Sequence, residues 1–155
     1  MVALLLSALS GALLSAAFEP VGKWWAAPIA IAANMYALSI SRKKVLSSLL
    51  FALTLNLIVL HWSSTFVGSV PWIILALGMS IFYLPLSLVS RYGLAAYPLI
   101  YILMEEVRNR FPFGGFGWVR IAYTQADSPF SQIAAVGGAS ALSALTLLLG
   151  LIIFY

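Results

Sequence analysis

The sequence predicts an all-α membrane protein, a bundle of about six transmembrane helices with an interfacial re-entrant or loop segment at 105–130. Of its 155 residues, 63% are hydrophobic and only 8% are charged, whereas soluble domains carry about 25% charged residues. The uncharged runs are long, and stretches such as LIIFY lack the alternation of a membrane β-barrel. Helices satisfy their own backbone hydrogen bonds, so they are the structure that such runs predict in lipid.

The predicted spans follow from these runs and from the residues that interrupt them. They cover about 2–17, 24–40, 45–61, 71–90, 92–106 and 131–154. The first ends at Pro20 and Gly22, since proline cannot continue a helix and glycine permits a tight reversal. The basic triplet Arg42–Lys44 separates the second span from the third. The fourth should kink near Pro85.

The fifth span is unusual because a helix starting at Tyr92 reaches Glu105 after only 13 uncharged residues, or about 20 Å. Either the helix continues with its glutamates near the interface, or the segment re-enters a cavity lined by protein. In the sixth span, small residues four apart, such as Gly137 and Ala141, should let another helix approach closely. Asn34 and Asn56, inside the second and third spans, should form hydrogen bonds between helices.

Basic residues set the predicted orientation. Six spans place four of them on each side, but the triplet Arg42–Lys44 lies in a compact loop typical of the cytoplasmic side. The 105–130 segment is then extracytoplasmic. The formal charge of +4 comes from scattered residues, so no basic face for nucleic acid is formed. The absence of cysteine excludes a thiolate metal site or a cysteine nucleophile in these residues, and one histidine with four acids makes any metal site improbable.

Charge is concentrated near the fifth span. Six of the charged residues lie between 105 and 127. Glu105 with Arg108, and Glu106 with Arg110, have the spacing of ion pairs on one helix face. One interpretation is a solvated helix end held by these pairs. The other is a polar site at the membrane surface, with Arg108 or Arg110 on a lipid phosphate.

The residues 112–118 that follow have too many glycines for a helix and too few polar residues for a water-exposed loop. We therefore expect an interfacial loop. Its aromatic side chains, together with Tyr123, should anchor the loop in the interface, and substrate recognition is the alternative. His61, the only histidine, has no acid close in sequence to orient it, so we interpret it as an interfacial residue.

Glu105-x-x-Arg108, followed by FPFGGFGWVRIAYTQADSP at 111–129, resembles the membrane part of bacterial apolipoprotein N-acyltransferases. The earlier LSGAL at 9–13 and FEP at 18–20 occur in the same order in that family. Gly117 departs from the family pattern, which usually has proline there. The resemblance gives candidate residues for a substrate or lipid interface: Glu105, Arg108, Gly115, Phe116, Trp118, Arg120, Tyr123 and Gln125.

The family resembled joins its membrane spans to an extracytoplasmic nitrilase-like domain. There Glu, Lys and Cys move a phospholipid acyl chain to the lipidated N-terminal cysteine of a lipoprotein, through a thioester that divides the transfer into two steps. This sequence has no cysteine and no α/β segment. The resemblance therefore implies a lipid-holding platform in the bacterial cytoplasmic (inner) membrane. It would be a truncated or split enzyme, without a catalytic residue, cofactor or metal, and inactive alone.

The partners that the resemblance implies are membrane phospholipid, the lipoprotein N-terminus and a possible separately encoded nitrilase-like domain. The alternative is a non-enzymatic membrane protein, either a small carrier or an assembly subunit. A carrier should have ionisable groups deep within its spans. The first four spans contain none except His61, which argues against coupled ion transport.

Overall fold

The computed structural model describes residues 1–155 and is entirely helical, as the sequence predicts. Its α-helices are α1 (Val2–Ser15), α2 (Ala26–Ile40), α3 (Lys44–Val59), α4 (Ser64–Val67), α5 (Ser69–Ile81), α6 (Val89–Tyr92), α7 (Tyr97–Arg108) and α8 (Ile133–Phe154). Short 3-10 helices cover His61–Ser63, Leu84–Leu88, Leu94–Ala96 and Ile121–Gln125. Helix is thus present in each of the six segments that the sequence predicts to be spans.

Fewer of these helices have the length of a complete membrane crossing. Two segments are long and apolar enough, Ser69–Tyr92 and α8, and a third arises if α3 and His61–Val67 form one span bent by 47°. Helices α1 and α2 are apolar but shorter. The structure therefore supports two or three crossings directly, and six crossings stay a prediction. In the fourth predicted span, α5 stops at Ile81 and Pro85 lies in the following 3-10 helix.

The helices pack around one apolar core. Helix α1 lies against α2 and α3, α2 also contacts α8, and α3 contacts α5. Helix α7 lies between α8 and the 3-10 helix Leu84–Leu88. Asn34 donates a hydrogen bond to the Tyr97 hydroxyl at 2.9 Å, and Asn56 donates to the Ser80 hydroxyl at 3.3 Å. Both asparagines therefore connect helices, as predicted.

The backbones of α1 and α3 approach closely at Gly11, where the two helices cross. A Cβ atom there would strike the Phe51 carbonyl oxygen and would lie 3.2 Å from the Leu55 nitrogen. Gly11→Ala should therefore destabilise the protein by about 1 to 3 kcal/mol, measured as the thermal unfolding midpoint in detergent. Gly78→Ala is the matched control, since a Cβ at Gly78 meets nothing within 4 Å.

An alanine at Gly78 should be neutral or stabilising by up to about 1 kcal/mol, because alanine favours the helix over glycine. The expected result is a lower unfolding midpoint for Gly11→Ala and an unchanged or higher one for Gly78→Ala. Equal shifts would show that the crossing of α1 and α3 does not depend on the missing side chain.

Candidate functional site

The C-terminal end of α7 is covered by the segment 109–132, which returns along α7 before α8 begins. The Phe116 amide donates to the Arg108 carbonyl at 2.8 Å, and the Gly115 amide donates to the Pro112 carbonyl at 2.8 Å. Gly115 has φ +94°, and a Cβ there would overlap the Asn109 backbone. Only glycine fits this position, so Gly115 allows the loop to close on the last turn of α7.

Glu105 lies at the centre of this arrangement and is only 1% exposed. Its Oε1 accepts the Ile121 amide hydrogen at 2.7 Å, and its Oε2 accepts the Ser143 hydroxyl hydrogen at 2.7 Å. The Arg120 Nε is 3.5 Å from the same carboxylate. One buried side chain thus joins α7, the segment 109–132 and α8, with both carboxylate oxygens satisfied.

Glu106 forms a second cluster nearer the surface. Its Oε1 accepts hydrogen bonds from the Arg120 guanidinium and, at 2.7 Å, from the Ser140 hydroxyl. Its Oε2 pairs with Arg110, whose side chain is 71% exposed. Arg120 is therefore held between both glutamates, while Arg110 remains exposed.

Arg108 is completely buried and forms no salt bridge with either glutamate. It donates to the Tyr83 hydroxyl at 2.7 Å and to the Val119 carbonyl at 2.6 Å. Its guanidinium lies 5.5 Å from the centre of the Tyr83 ring, a cation–π distance. No carboxylate lies within 4 Å of it, so its direct partners are two neutral acceptors and an aromatic face.

These contacts decide between the two interpretations of the charge cluster only in part. The predicted Glu106–Arg110 pair is confirmed. The predicted Glu105–Arg108 pair is wrong, because Ile121 and Ser143 take the carboxylate while Tyr83 and Val119 take the guanidinium. A solvated helix end is likewise wrong for these two residues, since both are buried.

Gln125 ties the segment 109–132 to the turn before α2. Its amide nitrogen donates to the Trp24 carbonyl at 3.1 Å and to the Thr124 hydroxyl at 2.9 Å. Gln125 is buried, and Phe116 is partly buried and packs against the apolar core. Both candidate residues therefore fix the segment to the helices.

Trp118 and Tyr123 have the opposite character, with 60% and 56% of their surfaces exposed. Together with Gly117 they line a surface cavity of about 360 Å³. The Trp118 ring lies 5.2 Å from that of Trp62, and Phe113 is fully exposed. The predicted interfacial loop is thus non-helical and presents aromatic side chains outward. Whether they anchor the loop or recognise a substrate stays a prediction.

Sequence reasoning missed three hydroxyl groups of the site, those of Tyr83, Ser140 and Ser143. The two serines are three residues apart on a helix whose only other polar side chain is Thr146, a spacing that puts both serines on one face. That spacing could have indicated a polar contact on this face of α8. Tyr83 gave none, because it is one aromatic residue among many in an apolar run.

The hydrogen bonds around Glu105, Glu106 and Arg108 hold side chains in place but do not form a recognisable catalytic triad or dyad. Ser143 contacts Glu105 without a histidine or lysine to activate it, and His61 lies edge-on against Trp72 at 5.0 Å. No three acidic or histidine side chains come together in a way that could hold a metal ion. The buried contacts make the segment 109–132 a fixed surface with exposed aromatic residues.

Comparisons with known proteins agree with the resemblance in the sequence. Residues 10–152 match the family model described as the apolipoprotein N-acyltransferase N-terminal domain. An apolipoprotein N-acyltransferase of Haemophilus ducreyi is 31% identical over 96% of this chain and 32% of its own length. One of Pasteurella multocida is 25% identical over 89% of this chain and 29% of its own length.

The chain thus spans about a third of the curated relatives that it matches. The family match covers nearly all the helices, and their apolar character is that of a membrane protein. The chain therefore belongs to the apolipoprotein N-acyltransferase family, of which it contains the N-terminal membrane domain.

Proposed function

We propose that these residues form the membrane platform of an enzyme that transfers a phospholipid acyl chain to the lipidated N-terminal cysteine of bacterial lipoproteins. The observation that carries the proposal is the buried polar network around Glu105 and Arg108, which fixes the segment 109–132 on the bundle. A platform for a catalytic domain requires this rigidity, because small displacements of a bound substrate slow a reaction strongly.

The exposed groups of the segment are suited to lipid. Trp118 and Tyr123 have the amphipathic character of residues in the membrane interface. Arg110 is exposed beside them in sequence and can form charge-assisted hydrogen bonds to a phosphate. We place this surface on the extracytoplasmic side of the inner membrane. The basic triplet Arg42–Lys44, at the opposite end of the helices, supports that orientation.

Acyl transfer through a thioester requires a thiolate nucleophile, and the 155 residues contain no cysteine. We therefore propose that a nitrilase-like domain, on the same or a separate polypeptide, supplies the Cys, Glu and Lys. The 155 residues hold the lipid substrate and the lipoprotein N-terminus, and alone they are inactive.

This division of roles can be tested by an assay of acyl transfer to a diacylglyceryl-cysteine peptide in phospholipid liposomes. The mass increase of the peptide measures the transfer. The 155-residue chain alone should give no transfer. A chimera, in which these residues replace the matching third of the Haemophilus ducreyi relative, should acylate the peptide. Acylation by the 155 residues alone would contradict the division of roles, and a folded but inactive chimera would contradict the platform.

A further inference from the structure

A second polar feature lies at the opposite end of the bundle from the segment 109–132. A cavity of about 510 Å³ opens between the start of α3 and the end of the segment that runs from α5 to α6. Its polar lining consists of Arg42, Lys43, Lys44, Ser87 and Ser90. We call these residues the basic cleft. The chemistry proposed above makes no use of it.

The positive charge of the basic cleft is not neutralised within the chain. All four acidic residues lie elsewhere: Glu19 in the turn between α1 and α2, Glu105 and Glu106 at the end of α7, and Asp127 in the segment 109–132. The three salt bridges of the chain are likewise all around Glu105 and Glu106. Among the cations of the cleft, Lys44 donates a hydrogen bond to the Ser41 carbonyl oxygen at 3.0 Å.

The cleft also has an apolar wall. Val45, Leu46 and Leu49 follow the triplet along α3 and line the same cavity, and Val45 and Leu46 are exposed. A cationic end with hydroxyl groups thus continues into an apolar helix face. The cationic end with its hydroxyl groups suits phosphate oxygens, and the apolar helix face suits an acyl chain.

We propose that the basic cleft binds the headgroup of an anionic phospholipid, with its phosphodiester on Arg42 and Lys43 and one acyl chain along Val45 and Leu49. A free phosphate ion would use only the cationic end and would leave the apolar wall uncovered. Basic pockets between membrane helices on the cytoplasmic side are suited to such headgroups. The site is distinct from the substrate surface, since it lies at the other end of the helices.

The experiment is native mass spectrometry of the purified chain in detergent, with phosphatidylglycerol and phosphatidylcholine added in equal amounts. We expect phosphatidylglycerol adducts to predominate. Lys43→Gln should lower the phosphatidylglycerol adducts about fivefold, because each basic residue near the membrane surface contributes about 1 kcal/mol of attraction to an anionic lipid. Lys23→Gln is the matched control. It removes the same charge from an exposed lysine, and Lys23 lies between α1 and α2, at the end of these helices away from the basic cleft.

Equal adducts of the two lipids, or equal losses in the two variants, would overturn the proposal. Adding inorganic phosphate at millimolar concentration distinguishes a site for a lipid headgroup from a site for a free phosphate ion. It should leave the phosphatidylglycerol adducts in place. Complete displacement by inorganic phosphate would show a site for free anions and would also overturn the proposal.

Discussion

Replacing Glu105 with alanine is expected to lower the free energy of unfolding by about 3 to 5 kcal/mol, the range for removing one partner of a buried ion pair. The Ile121 amide and the Ser143 hydroxyl would both lose their acceptor in the protein interior. Each such buried, unsatisfied group costs about 1 to 3 kcal/mol. The loss can be measured by titration with a denaturing detergent in mixed micelles.

Glu19→Ala is the matched control, because Glu19 is exposed and the same atoms are removed. It should change the free energy of unfolding by about 0.5 kcal/mol or less. Glu105→Gln should fall between the two, since its carbonyl oxygen still accepts the Ile121 amide hydrogen. If Glu105→Ala were as stable as Glu19→Ala, the carboxylate would not be holding α7, the segment 109–132 and α8 together.

Arg108→Ala is the second large expected effect, a loss of about 3 to 5 kcal/mol. Arg108 is the largest fully buried side chain, so alanine leaves a cavity beneath the segment 109–132. The Val119 carbonyl and the Tyr83 hydroxyl also lose a donor. Thermal unfolding in detergent, followed by size-exclusion chromatography, would give the order of stability of the variants.

Two further substitutions separate the packing of Arg108 from its hydrogen bonds. Arg108→Met restores most of the volume but donates nothing, and it should recover only the packing part of the loss. Arg91→Met is the control on an exposed arginine and should be nearly neutral. Equal stability of Arg108→Met and the unmodified protein would show that the two hydrogen bonds contribute nothing to the fold.

The helical segments could be predicted from the sequence because each depends on a continuous run of neighbouring residues. The Glu106–Arg110 pair was predictable for the same reason, since its members are one helical turn apart. The loop at 112–118 followed from its glycines. The number of membrane crossings was less accessible, because short apolar helices such as α1 satisfy the composition but not the length.

The partners of Glu105 and Arg108 could not be predicted in this way. Ser143 is 38 residues from Glu105, and Tyr83 is 25 residues from Arg108. Local spacing favoured a pair between the two charged residues themselves. The folded chain instead brings a backbone amide and a carbonyl of the segment 109–132 beside α7, and these compete for the same side chains.

The small residues at the start of α8 show a similar limit. Their four-residue spacing predicts a close helix contact. In the structure Gly137 and Gly138 are exposed, and Gly138 has φ +66°, which interrupts the helix. The close contact of α8 is at Gly150 instead, where a Cβ would strike the Ile31 side chain of α2. Spacing identifies residues that permit contact, but the fold decides which of them is used.

The hydrogen bond from Gln125 to the Trp24 carbonyl joins residues 101 positions apart. A ribosome that synthesises this chain completes the turn before α2 about a hundred residues before it reaches Gln125. The segment 109–132 can therefore attach to the turn before α2 only after the first helices have been synthesised, and α8 must be present before Glu105 has its Ser143 partner. The contacts that fix the segment 109–132 therefore form late, after most of these residues have been synthesised.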